Sequence, residues 1–523
     1  MDNVVEHLVI GAGSAGAVIA RRLLDAGHRV TLVEAGEQDE VNPDIDHLPD
    51  AGKIWHSAQD WDYYSTPQTG ASGRRLHLPR GKVMGGSHSL NACIWVRGES
   101  YDYDQWAQNG CPGWEWDQVL PYFKRIEAFD GGASDVRGGD GLLDVRADFP
   151  RNPVQEDMVA AAVQAGFVLD EDYNDGHAEG VSRMQLNLRD GLRLSTWRAY
   201  LRPVQDHQNL TLITGGRVLK LIVEATGDDA TPMVRGVVYR DADGNERELR
   251  SESAILCAGA LGSPELLLRS GIGPAEELRE VGVEPVADLG QVGKNLHDHF
   301  LSPVIYSTER PVPFPETAAA ETHLFSRSSD DQPVCDLQPL FFNFPMYSQD
   351  YREDGGVMEG PDNGFTLHAG LVQPEGRGSV TLTGAGADDP IAVDVAALAG
   401  PTDAQRLAVS VRQMREIGKQ EALSSWGPTE IYPGPDVVTD DDLEQYVRDS
   451  VVTYHHQVGT CRMGTDAEAV VDPSTFAVRG VTGLRVADAS IMPKIPAGNT
   501  NAPTIMIAER CADALTGAAS QPA

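Results

Sequence analysis

Gly11, Gly13 and Gly16 stand in the spacing G-x-G-x-x-G, and Glu34 follows Gly16 by 18 residues. Those residue types at that spacing suit the holding of a dinucleotide. A glycine at 11 permits a tight turn, one at 13 lets the backbone approach a pyrophosphate, and one at 16 lets a helix pack closely on a sheet. Ser14, Ala15 and Gly16 would open that helix, with free N–H groups and a positive dipole end for the phosphates. Glu34, with Ala35 beside it, can accept hydrogen bonds from the adenosine ribose. A carboxylate there disfavours a 2′-phosphate, so NADP is not expected. On its own the cradle does not separate FAD from NAD.

A second place with chemical capacity lies near the C-terminus, where His455 and His456 are adjacent. An imidazole with an ordinary pKa of about 6.5 can accept a proton at working pH. If this segment is extended, the two rings point to opposite faces and only one can meet a bound cofactor. No further ligands stand at a spacing that would make the pair a metal site. The six cysteines, Cys93, Cys111, Cys257, Cys335, Cys461 and Cys511, contain no C-x-x-C pair. They suit reduced, buried thiols better than a disulfide framework or a zinc site.

The elements that would position these residues can be read from hydrophobic pattern. Leu8–Ile10 has the short apolar run of a buried parallel strand, Ala15–Ala26 reads as a helix, and His28–Val33 as a second strand. Residues 210–256 read as strands broken by polar turns at Glu224–Thr231 and Asp241–Glu246, a β-meander inserted into a nucleotide fold. The segments Val334–Phe344, Phe365–Val372 and Ser379–Leu382 look like strands of an antiparallel sheet, and Asp403–Lys419 like an amphipathic helix. The acidic loops at 353–363 and 386–390 read as solvated surface, and the tail Ser520–Ala523 as frayed.

Bulk composition bounds the function. At 523 residues the chain exceeds a single core, so two or more domains are expected. The formal net charge of −36 repels nucleic acid and anionic membrane surfaces. The apolar run Leu8–Ala20 lacks a basic leader, and it falls short of the ~20 residues that span a bilayer. The expectation is a cytoplasmic protein without nucleic-acid or membrane partners; the oligomeric state is open.

Further segments resemble the glucose–methanol–choline (GMC) oxidoreductase family over most of the chain. They are Arg80-Gly81-Lys82-Val83-Met84-Gly85-Gly86-Ser87-His88-Ser89-Leu90-Asn91-Ala92, the run Gly259 to Gly273, and Arg485 to Ser490. The loop Gly290 to His299 also resembles a family loop, and its His297 and His299 read as fold-supporting. Met84 and His88 depart from the family pattern. The resemblance implies FAD, with contacts from Gly11, Gly13, Ser14, Ala15, Gly16, Glu34, Ala35, Arg80, Val83, Gly85, Gly86, Asn91, Ala92, Val218, Ala258, Gly259, Asp488, Ala489 and Thr500. Some family members attach FAD through a histidine in the first loop. The matching position here is Leu90, which implies non-covalent FAD.

The segment Thr453 to Gly464 resembles the family's catalytic-histidine segment, and the matching residue is His456. Ile495 to Thr504 resembles the segment that supplies the second active-site residue, here Asn499, and Thr500 to Pro503 are expected to start the last helix, Ile505–Leu515. The implied fold is α/β (α+β overall), a Rossmann-like FAD-binding domain interleaved with an antiparallel-sheet substrate domain. FAD-binding segments would be 1–150, 207–303 and 452–523, with substrate segments 151–206 and 304–451. The implied reaction is oxidation of a small-molecule alcohol, with oxygen or another electron acceptor reoxidising the flavin. A non-redox FAD lyase of the hydroxynitrile-lyase kind is the alternative on the same fold. Phe341, Phe342, Phe344, Tyr347, Trp426 and Tyr432 supply aromatic surface for an apolar or aromatic alcohol, or for an organic cation held by cation–π contacts.

Overall fold

The computed structural model describes residues 4–224, 231–348 and 356–517. The expected turn at 224–231, most of the first part of the 353–363 loop, and the tail Ser520–Ala523 lie wholly or partly outside them. Five strands form a parallel sheet in the order Leu210–Ile213, Val30–Val33, Val5–Ile10, Glu246–Leu256, Leu484–Val486. Val30–Val33 and the second half of Val5–Ile10 are buried throughout, as strands covered on both faces require. The helix Gly16–Asp25 follows the first strand and buries Val18, Ile19, Leu23 and Leu24. This arrangement is a Rossmann-like α/β fold.

Strand Glu246–Leu256 serves two sheets' worth of pairing. Its first half runs antiparallel to Gly236–Arg240 and its second half, Ser251–Leu256, runs parallel to Val5–Ile10. The expected meander, Arg217–Glu224, Met233–Arg240 and Glu246–Leu256, is thereby fused to the nucleotide sheet. Leu210–Ile213 is not part of the meander; it pairs in parallel with Val30–Val33 at the sheet's edge. The last helix, Asn501–Thr516, starts within the expected Thr500–Pro503 and packs on Gly16–Asp25, where Arg22 Nη2 donates to the fully buried Glu509 Oε1 at 2.8 Å.

A second sheet is antiparallel, in the order Pro428–Tyr432, Phe300–Thr308, Gly364–Leu371, Leu340–Phe342, Ala320–Phe325, Gly180–Arg183. Helix Asp403–Gly418 covers one face, burying Leu407, Val411 and Met414 among Leu367, Ala369 and Leu371. Two expectations need correction. The strand expected over Val334–Phe344 is confined to Leu340–Phe342. Pro339 offers no N–H to a ladder, and before it only Leu337 forms isolated bridges. Ser379–Leu382 does not join this sheet but pairs with Ile391–Asp394 as a separate hairpin. The described cysteines are all buried and unpaired, and no described helix is long and apolar enough to cross a membrane.

Candidate active site

A cavity of about 710 Å³ runs from the glycine cradle to the histidine pair, between the two sheets. At one end, two glycine loops touch. Gly86 has φ +53°, and a Cβ there would stand 2.7 Å from Gly13 Cα; a Cβ on Gly16 would stand 1.9 Å from Gly11 O. Both neighbours are backbone and cannot swing aside, so these positions need glycine. Gly85 N–H donates to Ala12 O at 2.9 Å and ties the second loop to the first. The helix Gly16–Asp25 has no side-chain cap, so its first N–H groups face the cavity end without a protein side chain to satisfy them. That is the donor set a pyrophosphate requires.

Glu34 is buried at the rim. Its two carboxylate oxygens accept from Ala12 N–H and Gly36 N–H, both at 2.9 Å, so it braces the cradle as well as facing the cavity. Burial pushes its pKa up, against the pull of those N–H groups. Asp488 follows strand Leu484–Val486 and ties its own turn to the start of the helix Gly259–Arg269. Its Oδ2 accepts from Gly259 N–H at 2.9 Å and Ser263 Oγ–H at 2.6 Å, and its Oδ1 from Ser490 N–H at 2.8 Å. Here the end of one strand caps the start of a helix from another part of the chain.

At the other end His456 sits on a short relay. Asn499 Nδ2 is 3.1 Å from His456 Nε2, His456 Nδ1 is 3.0 Å from His299 Nδ1, and Gln338 Nε2 donates to Asn499 Oδ1 at 3.1 Å. Gln338 fixes the amide's orientation, so Asn499 Nδ2–H points at His456 Nε2 and makes that nitrogen the acceptor. The proton of a neutral His456 then lies on Nδ1, toward His299. The Tyr454 ring stacks on His456 at 4.5 Å, and Asp298 Oδ1 accepts His456 N–H at 2.8 Å. Burial holds the His456 pKa well below the ordinary value, with His299, His455 and Arg80 adding to the effect.

His455 is not in an extended backbone; its φ is +65°. The extended backbone on which the expectation of a single cofactor-facing ring depended is therefore absent, and both residues line the cavity. His455 Nδ1 lies 2.8 Å from Thr453 Oγ1, the Trp55 ring stands edge-on to it at 4.9 Å, and Arg80 Nη2 donates to its carbonyl. Among the residues expected at the cofactor, Gly16, Val83 and Gly85 stand behind the wall, whereas Gly11, Gly13, Ser14, Ala15, Glu34, Ala35, Arg80, Gly86, Asn91, Ala92, Val218, Ala258, Gly259, Asp488, Ala489 and Thr500 line it. Val83 is packed with Ile45, Ile54 and Leu90.

His88 is buried away from the lining, where its Nδ1 accepts Thr196 N–H at 3.2 Å and the Asn501 amide lies 3.3 Å from the ring. Of the aromatic set, Phe342, Phe344 and Tyr347 line the cavity, while Phe341, Trp426 and Tyr432 do not. Trp55, Gln338, His299 and His368 were not foreseen in the site. His368 carried a signal: in Phe365-Thr366-Leu367-His368-Ala369-Gly370-Leu371 it alternates with the apolar residues, and the polar alternate is the cavity face. Trp55 lies in an irregular segment without periodicity and carried none.

The residues match known proteins along most of the chain. Residues 5–301 and 374–508 match the two models of the GMC oxidoreductases. The chain is 35% identical over 550 residues to the mitochondrial choline dehydrogenase of Homo sapiens, covering 99% of this chain and 90% of that one. It is 35% identical over 539 residues to an alcohol dehydrogenase (acceptor) of Pseudomonas putida, covering 97% and 95%. The structure of pyridoxine 4-oxidase from Mesorbium loti superposes with a TM-score of 0.90 at 33% identity, covering 97% of this chain and 98% of that one.

Proposed function

From a chain that belongs to the GMC oxidoreductase family, we propose an FAD enzyme that oxidises an alcohol to an aldehyde or ketone, with oxygen or another acceptor reoxidising the flavin. The observation that carries the reading is the His456–Asn499 pair, 3.1 Å apart, at the far end of a cavity that begins at a dinucleotide cradle. The wall fits FAD. Two abutting glycine loops leave no Cβ in the way, an uncapped helix start offers N–H donors, and the Glu34 carboxylate at the rim supports a ribose contact there. When bound, FAD supplies the acceptor for the hydride that leaves the carbinol carbon.

The chain's own residues handle the oxygen and its proton. His456 is neutral, and its Nε2 lone pair takes the hydroxyl proton of an alcohol whose oxygen meets both Nε2 and Asn499 Nδ2. His299 keeps the tautomer by accepting His456 Nδ1–H. Asn499 Nδ2–H, steadied by Gln338, turns to the substrate oxygen as alkoxide character grows there. Leu301, Leu340 and Phe342 line this end and keep water from the developing charge.

Leu90 stands at the attachment position and His88 is turned from the cavity, which supports FAD held without a covalent bond. The two sheets support the division into nucleotide segments 1–150, 207–303 and 452–523 with substrate segments 151–206 and 304–451 between them. The test is anaerobic: the bound flavin bleaches on adding a member of an alcohol panel. A flavin that no alcohol bleaches, in a protein that cleaves cyanohydrins, rejects the oxidation in favour of a lyase.

A further inference from the structure

We propose that the alcohol is electrically neutral, with an aromatic or other apolar body and a second hydrogen-bonding group, and that His368 receives this second group. The proposal rests on the alcohol-oxidising reading above and says which alcohol the cavity is built for.

Charge decides the first part. Among the described residues lining the cavity, the carboxylates are Glu34, Glu265 and Asp488, all at the nucleotide end. Asp298 and Asp60 lie near the histidines but behind the wall. Asp298 accepts the N–H groups of His299 and His456 and the Gln457 amide, Asp60 accepts the N–H groups of His56, Asp62 and Arg80 with His77 Nε2 at 3.3 Å, and both carboxylates act on the Arg80 guanidinium. The guanidinium that lines the cavity beside the histidine pair is that of Arg80, which donates to the His455 carbonyl, whereas that of Arg74 is turned to the carbonyls of Ala71, Arg448 and Val451.

An alcohol carrying a fixed positive charge would be buried there with no carboxylate facing it, since the nearest, Asp298 and Asp60, lie behind the wall and act on Arg80. Taking an ion out of water without a facing counterion costs more than the cation–π contacts that Trp55, Phe342, Phe344 and Tyr347 offer in return. The cost wins, and the same rings favour a neutral aromatic body.

His368 decides the second part. It is 3% exposed, it lines the cavity, and neither ring nitrogen has a hydrogen-bond partner. His7, His77, His297, His299 and His323 also carry a nitrogen without a hydrogen-bond partner, but of these only His77 lines the cavity, and its Nε2 lies 3.1 Å from Asp62 Oδ1. His368 stands opposite Leu340 across the sheet. Leu340 shares its face with Gln338, two residues back, so His368 is one pleat, on the order of 7 Å, from the residue that orients Asn499. A neutral imidazole offers one donor and one acceptor, and burying both unpaired is unfavourable. A hydroxyl, carbonyl or ether group on the substrate, remote from the carbinol, satisfies it.

The test uses the flavin-loaded protein and anaerobic flavin reduction by benzyl alcohol, 3- and 4-hydroxybenzyl alcohol, and choline. The better hydroxybenzyl alcohol is expected to exceed benzyl alcohol in kcat/KM by roughly tenfold or more, and choline to fall below both. In His368→Leu and His368→Gln the hydroxybenzyl-to-benzyl ratio is expected to collapse toward one in the first and to persist in part in the second. Titration of the flavin spectrum with 4-methylphenol, which has no carbinol to oxidise, should show tighter binding than toluene in the wild type and no such preference in His368→Leu. Efficient reduction by choline overturns the neutral class while leaving alcohol oxidation intact. An equal ratio in wild type, or one unchanged in both variants, overturns the role of His368. Reduction by none of these alcohols, with or without a second group, overturns both readings together.

Discussion

At the residue scale the proposed chemistry depends on which nitrogen of which histidine can hold a proton. The His456 pKa lies well below 6.5, chiefly through burial and further through His299, His455 and Arg80. A depressed imidazole pKa keeps the base form as pH falls through the ordinary value, so loss of the base occurs only further to the acid side. The acid limb of kcat/KM for alcohol oxidation is expected well below pH 6.5, and an acid limb centred near about 6.5 would show an exposed, ordinary imidazole instead. Asn499→Ala removes one donor to the nascent alkoxide and is expected to slow anaerobic flavin reduction by about 10²-fold with flavin content retained. A rate within twofold of wild type would remove Asn499 from the chemistry. His456 and Asn499 were legible because short motifs surround them. His299 was legible as a residue but not as a neighbour, because 157 residues separate it from His456 and only the fold closes that gap to 3.0 Å.

Secondary-structure elements explain why these residues meet. The cradle was readable because strand, glycine turn, helix and second strand are consecutive, so the pattern needs no long-range information. The role of Glu246–Leu256 was not readable in the same way. One continuous run pairs antiparallel in its first half and parallel in its second, and periodicity does not report a change of partner. Pro339 and the separate hairpin at Ser379 show the same limit, where apolar alternation was present but the pairing partner was not the expected one. The contact between the two glycine loops gives a prediction at this scale. Gly86→Ala puts a methyl 2.7 Å from Gly13 Cα at a φ of +53°, so the loops must part. Purified Gly86→Ala is expected to carry a small fraction of the wild-type flavin, read from the absorbance ratio of flavin to protein. Full flavin content would mean the loops do not form the cofactor floor.

For the whole molecule, two sheets face each other across one cavity, and a strongly acidic exterior surrounds an interior site lined by arginines. The interleaved order of segments follows from strand Leu484–Val486 returning to pair with Ala254–Leu256, which carries Asp488 to the cradle from the far end of the chain. Composition had indicated more than one core, but only the fold shows that the chain crosses between them. A net charge of −36 repels itself in the folded state. Raising ionic strength from about 0.01 M to about 0.15 M shortens the screening length roughly from 30 Å to 8 Å, and the melting temperature is expected to rise over that range. A melting temperature that falls with salt would mean the surface ion pairs outweigh the repulsion.

In the proposed reaction His456 takes the hydroxyl proton as hydride leaves the carbinol carbon. The decisive comparison is the rate of anaerobic flavin reduction by an alcohol in wild type and in His456→Ala at equal flavin content. A loss of roughly 10²- to 10⁴-fold is expected in the variant, the usual contribution of a positioned general base. Reduction at the wild-type rate by a flavin-replete His456→Ala would contradict it.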